Sequence, residues 1–402
     1  MFRVIKKRIY LDTASTTPVD SRVLKMMLPY FSKESGNPSS LHQEGVRARK
    51  AIEQSRQQIA TLLSAHSDEI IFTSGGTESD NLAILGVARG LLAKNKIKQP
   101  GHIITTVIEH QAILESCRRL EKEGWRITYL PVSKEGLVDL VVLKEALCSE
   151  TVLVSVMYAN NEIGTVQPLR EIAKILRDWR KLEGENRLPY FHTDACQAPR
   201  FFHFQVEKLG IDLMTLNGGK IYGPKGVGCL YVKRNTFIEP IIYGGGQESG
   251  WRSGTENVPN IIGLAEALKL ATDLSDKETE RLQNLRDYFI EKLVSLSPSV
   301  KINGSLVERL PNNVNVTFPG ILGEWLVLSL DAKGIACSTG SACSSHHKDD
   351  AHVIMALGNN KEYAENTVRF SLDRKSNKKD IDYTIKVLKA VLQKSKNIIP
   401  PV

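Results

Sequence analysis

The sequence predicts an α/β protein: a mainly parallel sheet flanked by helices, followed by a smaller α+β domain. Between about residues 68 and 235, short apolar runs alternate regularly with helical patterns. That alternation is expected where helices cover both faces of a mainly parallel sheet. After Gly254 the pattern changes to one long helical stretch, about 257–295, and then to short runs alternating with helices. A chain of 402 residues is also long for a single core, as two or three domains require. The expected division is a large domain over 15–256 and a small one over 257–402, with residues 1–14 packing on the small domain.

In chain order, Ser40 and Gln43 form a capping box for a long amphipathic helix over about 41–64. The runs "EIIFT", "HIITTV", "RITYL", "TVLVSVM", "YFHTD", "DLMTL" and "VGCLYV" read as strands, with helices at 77–94, 110–123 and 168–182 between them. Past the long helix, "NNVNVTF" and "TVRFSL" supply strands of the second domain. No internal repeat is present.

Composition excludes several function classes. The chain is 42% hydrophobic and 24% charged, with no low-complexity tract, as in an ordinary globular protein. Its formal net charge of +8 comes from Lys and Arg spread along the chain beside Glu and Asp. That is the pattern of solvated helix faces, and no direct nucleic-acid partner is expected. The basic start is followed at once by "LDTASTTP", so no signal region is expected. No run reaches the roughly 18 apolar residues of a membrane span. Six cysteines make no disulfide framework in a chain of this length, which points to a reducing cytoplasm. Sequons at Asn303 and Asn315 then carry no meaning.

In an open parallel sheet, function lies beyond the carboxyl ends of the strands. After "EIIFT" comes "SGGTESDN", with Gly76 and Thr77 opening a helix. Exposed N–H groups plus a hydroxyl at a helix N-terminus make an anion cup. No Gly-Lys-Ser/Thr follows, so this is not a nucleotide P-loop. Asp194 and Lys220 stand 26 residues apart, one strand–helix–strand unit, so both project at the same edge. An acid and a lysine facing a phosphate cup suit pyridoxal phosphate: the lysine forms the Schiff base and the acid holds the ring nitrogen protonated. His110, after "HIITTV", is placed to lie over the ring, or else simply to begin a helix. Further on, "GIACSTGSACSSHH" (334–347) reads as an exposed loop of small polar residues. It carries Cys337 and Cys343, although free cysteine usually behaves as a buried hydrophobe.

The stretches "LDTASTTP", "FTSGGTESDN", "EH", "NNEIGTVQP", "HTDACQ", "KIYGPKGVG", "GGGQESGWRSGTENV", "GSACSS" and "VRFSL" occur in this order over nearly the whole chain. Together they resemble the cysteine desulfurases of the NifS/IscS kind. The resemblance implies the type I fold of pyridoxal-phosphate-dependent transferases, shared with class V aminotransferases, and removal of sulfur from L-cysteine as L-alanine forms. It implies that Lys220 is the Schiff-base lysine and proton-abstracting base, that Asp194 pairs with the ring nitrogen, and that His110 stacks on the ring. It further implies that Gln197 and Asn160 approach the ring oxygen and the substrate. Thr77, with Gly76 and Asn217, holds the phosphate, joined by Thr255 from a second subunit of a homodimer. Arg369 grips the substrate carboxylate, a task suited to a planar guanidinium. Cys343 is the nucleophile that becomes a persulfide, and the long "GSAC" loop resembles the branch that feeds iron–sulfur scaffold or other sulfur-acceptor proteins. His346 and His347 would favour its thiolate, the reactive form.

Alternatives are a selenocysteine lyase, a class V aminotransferase, or a non-catalytic relative serving as an assembly subunit. The last has a footing, because "NGGK" stands where the family usually reads "SGHK": Asn217 replaces a serine and Gly219 a histidine. A metal site at Cys337, Cys343 and His346 or His347 lacks the usual spacing and a fourth ligand, so no metal is expected. Cys117, Cys148, Cys196, Cys229 and Cys337 read as packing residues.

Overall fold

The computed structural model describes residues 8–184, 188–340 and 351–398. Its strands in chain order are β1 (Ile9–Tyr10), β2 (Ile70–Thr73), β3 (His102–Thr106), β4 (Arg126–Leu130), β5 (Thr151–Ser155), β6 (Tyr190–Asp194), β7 (Leu213–Asn217), β8 (Gly228–Val232), β9 (Lys301–Ile302), β10 (Asn313–Thr317), β11 (Ile335–Ala336) and β12 (Thr367–Ser371). The seven apolar runs of the first half become one seven-stranded sheet, ordered β2-β8-β7-β6-β5-β3-β4. From β7 through β4 the neighbours are parallel, whereas β8 is antiparallel to both β7 and β2. The reason is connection length. A parallel neighbour needs a crossover of a dozen or more residues, and β7 and β8 are joined only by 218–227, which holds one short 3₁₀ turn, Gly218–Lys220.

Successive side chains of a strand face opposite sides, and here both sides are buried. Ile71, Ile103, Leu153, Leu213 and Leu230 enter one core, closed by Leu82, Val87 and Ile113 of helices Gly76–Ala93 and Gln111–Glu121. Phe72, Ile104, Val154, Met214 and Tyr231 enter the other, closed by Ile59, Ile172 and Leu264 of helices Gln43–Leu63, Leu169–Leu182 and Val258–Val294. These helices lie within a few residues of the expected ones. The cap of the first differs: His42, not Ser40, is the N-cap, its Nδ1 accepting the Gly45 N–H at 3.3 Å. Ser40 is instead held in a preceding turn, its N–H donating to Asn37 O at 3.0 Å.

The 37-residue helix Val258–Val294 is about 55 Å long at the usual rise. Its first half packs on the large sheet, while Phe289 near its end meets Phe370 of β12, ring centroids 5.2 Å apart. A second sheet, β12-β10-β9, is antiparallel. The N-terminal β1 pairs in parallel with β11, and Asp12 bridges to Ser371, so the start of the chain lies against its C-terminal part. No helix among the described residues is long and apolar enough to cross a membrane.

Candidate active site

Strand order reverses between β3 and β5: β4 was added on one side of β3, and β5 to β8 on the other. A crevice opens beyond the carboxyl ends of strands at such a point. The cavity found there is lined by Gly76, Thr77, His110, Asp194, Gln197, Asn217, Lys220 and Arg369, together with Asp80 and Asn161. The first seven follow β2, β3, β6 and β7 at one edge of the large sheet, while Arg369 reaches it from β12.

One end of the cavity is acidic. Asp194 closes β6 and is 8% exposed. Its Oδ1 accepts the Cys196 N–H at 2.9 Å. Asp80, one turn into helix Gly76–Ala93, is fully buried, and its Oδ1 has no hydrogen-bond partner. Burial first, then the Asp194 charge, hold the Asp80 carboxyl well above the usual range. His192 Nε2 lies 3.8 Å from that oxygen, and burial pushes the imidazole down to about 4. Glu109 Oε1 accepts Thr106 Oγ1 and the Met157 N–H, each at 2.9 Å, while Oε2 is buried and unpaired. Burial raises this carboxyl to about 8. Asp194, at the end of β6, and Asp80 both line this end of the cavity.

His110 is the N-cap of helix Gln111–Glu121, its Nδ1 accepting the Ala112 N–H at 3.1 Å. That contact places the proton of the neutral ring on Nε2. Burial lowers the His110 pKa against the pull of Asp194, with Lys220 adding to the lowering. This residue therefore begins a helix and also lines the cavity.

Lys220 sits on the 3₁₀ turn after β7, its Nζ donating to Ala14 O at 2.9 Å and Ser15 O at 2.5 Å. Gln197 Nε2 also donates to Ala14 O, at 3.0 Å. The "LDTASTT" segment thus forms one wall. It also supports Arg369, which is 1% exposed. Arg369 Nη2 donates to Asp12 Oδ1 at 3.0 Å and Ser15 Oγ at 2.6 Å, and Nη1 to Asn161 O at 3.1 Å. Its Nε is buried and unpaired. The guanidinium is thus fixed at the cavity wall, ion-paired with Asp12.

At the other end lies the cup. Gly75, with φ 151°, is the N-cap of Gly76–Ala93 and offers no side chain to its first N–H groups. Those donors are available to an anion. Asn217 Oδ1 accepts the Gly219 N–H at 3.0 Å, which turns its amide nitrogen toward the helix start, 3.5 Å from where a Cβ on Gly76 would stand.

Several expectations need correction or restriction. Asn160 does not line the cavity. Its Nδ2 donates to Ile108 O at 2.9 Å and its Oδ1 accepts the N–H groups of Glu162 and Ile163 at 2.8 and 2.9 Å, so its amide is consumed in shaping the loop after β5. The neighbour Asn161 lines the cavity instead. In "NNEIG" nothing local tells which asparagine lines the cavity. Cys148 is not a core residue: it is only half-buried, with Arg126 Nη2 2.9 Å from its sulfur. Cys117, Cys196, Cys229 and Cys337 are buried, and burial first of all raises the Cys337 thiol. Thr255 is exposed and lies outside the cavity of its own chain. Cys343, His346 and His347 lie outside the described residues. Sequence reasoning missed Asp12, Ser15, Asp80 and Glu109; all four lie within quoted motifs, but their roles depend on contacts across the fold.

The donor set fits a flat heteroaromatic ring with a basic nitrogen at the acidic end, an anionic group at the cup, and an amine, Lys220, alongside. Comparison with known proteins agrees. The Aminotransferase class-V family matches residues 9–384. The chain is 47% identical to a cysteine desulfurase IscS of Dictyoglomus turgidum, over 98% of this chain and 97% of that one. A solved NifS-like protein superposes with a TM-score of 0.88 at 36% identity, covering 96% of this chain and all of that one. A solved SspA in complex with cysteine gives a TM-score of 0.77 at 36% identity, over 91% and 99% of the two chains. With residues 9–384 matched and relatives similar over almost their whole length, the chain belongs to the class-V aminotransferase family.

Proposed function

We propose that this protein is a cysteine desulfurase that holds pyridoxal 5′-phosphate and moves the sulfur of L-cysteine onto Cys343. The observation that carries this reading is the meeting of Lys220, Asp194, His110 and a helix-start anion cup at one sheet edge, with the buried Arg369 beside them. When bound, the cofactor supplies an electron-withdrawing ring that weakens bonds at the substrate's α- and β-carbons. Asp194 would hold the ring nitrogen protonated, and His110 would lie against the ring; Lys220 would hold the cofactor and exchange the Cα proton of the substrate. Gln197 and Asn161 stand by the ring oxygen and substrate, and Thr77 and Asn217 hold the phosphate. Arg369 receives the substrate carboxylate.

In the net reaction the Cβ–S bond breaks, an S–S bond forms at Cys343, and a proton replaces sulfur at Cβ, giving L-alanine and an enzyme persulfide. Cys337 is a poor candidate for the nucleophile because its thiol is buried, and the thiolate is the reactive form. The persulfide is destined for an iron–sulfur scaffold or another sulfur-acceptor protein in the cytoplasm. The working form is a homodimer, in which Thr255 completes the partner's phosphate site. Its exposure supports this, as do the exposed Met26, Leu28 and Phe31 on one surface segment, since contiguous apolar surface marks an interface.

The test is turnover. L-cysteine with a reductant should yield equimolar alanine and sulfide, with Cys343→Ser keeping the cofactor colour but forming no persulfide, and Cys337→Ser remaining active. Loss of persulfide in both variants alike, or no alanine from the wild type, refutes the reading.

A further inference from the structure

The anion cup has a cationic residue that none of the roles above includes. Lys225 lies on the β7–β8 connection and lines the cup with Thr77, Asn217 and Gly219. A Cβ built on Gly219 would stand 3.5 Å from Lys225 Cγ and 3.9 Å from its Cα. The Lys225 side chain therefore runs along the space left open by the missing side chain at 219. Its carbonyl is held, Asn260 Nδ2 donating to Lys225 O at 3.2 Å, and Gly226 follows with φ +76°. That φ suits glycine alone among common residues. Of the residues lining the cup, Lys220 and Lys225 are the only cations, and Lys220 is turned to Ala14 O and Ser15 O. The one carboxylate there, Glu78, is already held by Arg252 at 2.9 Å and by the Ser74 N–H at 2.9 Å. A dianion at this helix start thus has one cation within the cup to balance it.

We propose that Lys225 is a binding residue for the phosphomonoester of the cofactor, its ammonium taking the place that the glycine at 219 leaves without a side-chain donor. This rests on the reading that the cavity takes pyridoxal phosphate. A point charge on a flexible stem suits this position better than a second rigid donor, because the gap is open and has solvent access.

The test compares pyridoxal phosphate with pyridoxal, which lacks the phosphate, by equilibrium titration of the apoprotein. Lys225→Met should weaken pyridoxal phosphate binding by about tenfold or more, the size of one charge-assisted hydrogen bond, and leave pyridoxal binding unchanged. It should also flatten the salt dependence of binding. Lys225→Arg should keep the affinity. Gly219→His should restore more affinity in the Lys225→Met background than it adds to the wild type. Its Cβ would meet only ordinary contacts at 3.5 Å and beyond, with no strained φ at Gly219. If Lys225→Met binds pyridoxal phosphate within twofold of wild type, the proposal is overturned while the cofactor reading stands. If the wild type itself binds neither compound, both fall. Should Lys225→Met not fold, Lys225→Gln replaces it, judged by the same phosphate-specific loss.

Discussion

Replacing Asp194 with Asn removes one charge and almost no volume, so its effect isolates electrostatics. The Cys196 N–H that donates to Asp194 Oδ1 at 2.9 Å fixes how the amide sits. Its oxygen keeps that contact, and its NH₂ then faces the cavity. A donor now stands where a protonated ring nitrogen also needs an acceptor, so the ring binds unprotonated. The lost charge-assisted hydrogen bond is worth about 1.5–3 kcal/mol, or roughly 10- to 150-fold in cofactor affinity. Turnover should fall further, because an unprotonated ring draws electrons more weakly. Asp80 complicates the outcome in a predictable way. Burial and the Asp194 charge together raise its pKa; with that charge gone, Asp80 ionises more readily and partly replaces it. The Asp80→Asn, Asp194→Asn pair should therefore lose more than the sum of the single variants. The assay is equilibrium titration with pyridoxal phosphate, followed by absorbance across pH. If Asp194→Asn binds within twofold of wild type with an unchanged absorbance profile, Asp194 does not face the ring nitrogen.

Other outcomes follow from the same geometry. Arg369→Lys cannot reproduce the contacts of two guanidinium nitrogens to Asp12, Ser15 and Asn161; KM for L-cysteine should rise at least tenfold while cofactor binding is unchanged. Asn160→Ala should lower stability by about 2–4 kcal/mol in urea titration, through buried N–H groups left unpaired. Asn161→Ala should instead keep stability and lower turnover. Acid should destabilise the fold through His192. Burial holds its pKa near 4 against about 6.5 when unfolded, so as pH falls from 6.5 to 4 the unfolded state binds a proton that the folded state excludes. The loss reaches about 3 kcal/mol and levels off below pH 4. A His192→Asn variant should show a shallower urea-midpoint slope over that window; an equal slope would rule out this source.

Much of the protein is legible along the chain because its signals are local. The seven strands announce themselves as apolar runs, since each strand feeds a core on both faces, and their bounding helices follow from periodicity. Strand ends then locate Asp194, Lys220, His110 and Thr77, because a sheet edge collects whatever follows each strand. The antiparallel turn of β8 is also implicit in the ten residues 218–227 that precede it, too few for a crossover. What no local pattern carries is which of two adjacent residues lines the cavity and which distant segments meet. The choice of Asn161 over Asn160 is made by Ile108, Glu162 and Ile163 taking the other amide. The raised pKa of Asp80 comes from burial beside Asp194. Asp12 and Ser15 join Arg369, more than 350 residues away, only because β1 pairs with β11 against the second sheet. Hydrophobic period and turn chemistry act over a few residues and so can be read in sequence. Desolvation, charge and hydrogen-bond competition act through space, and only the folded chain sets those distances.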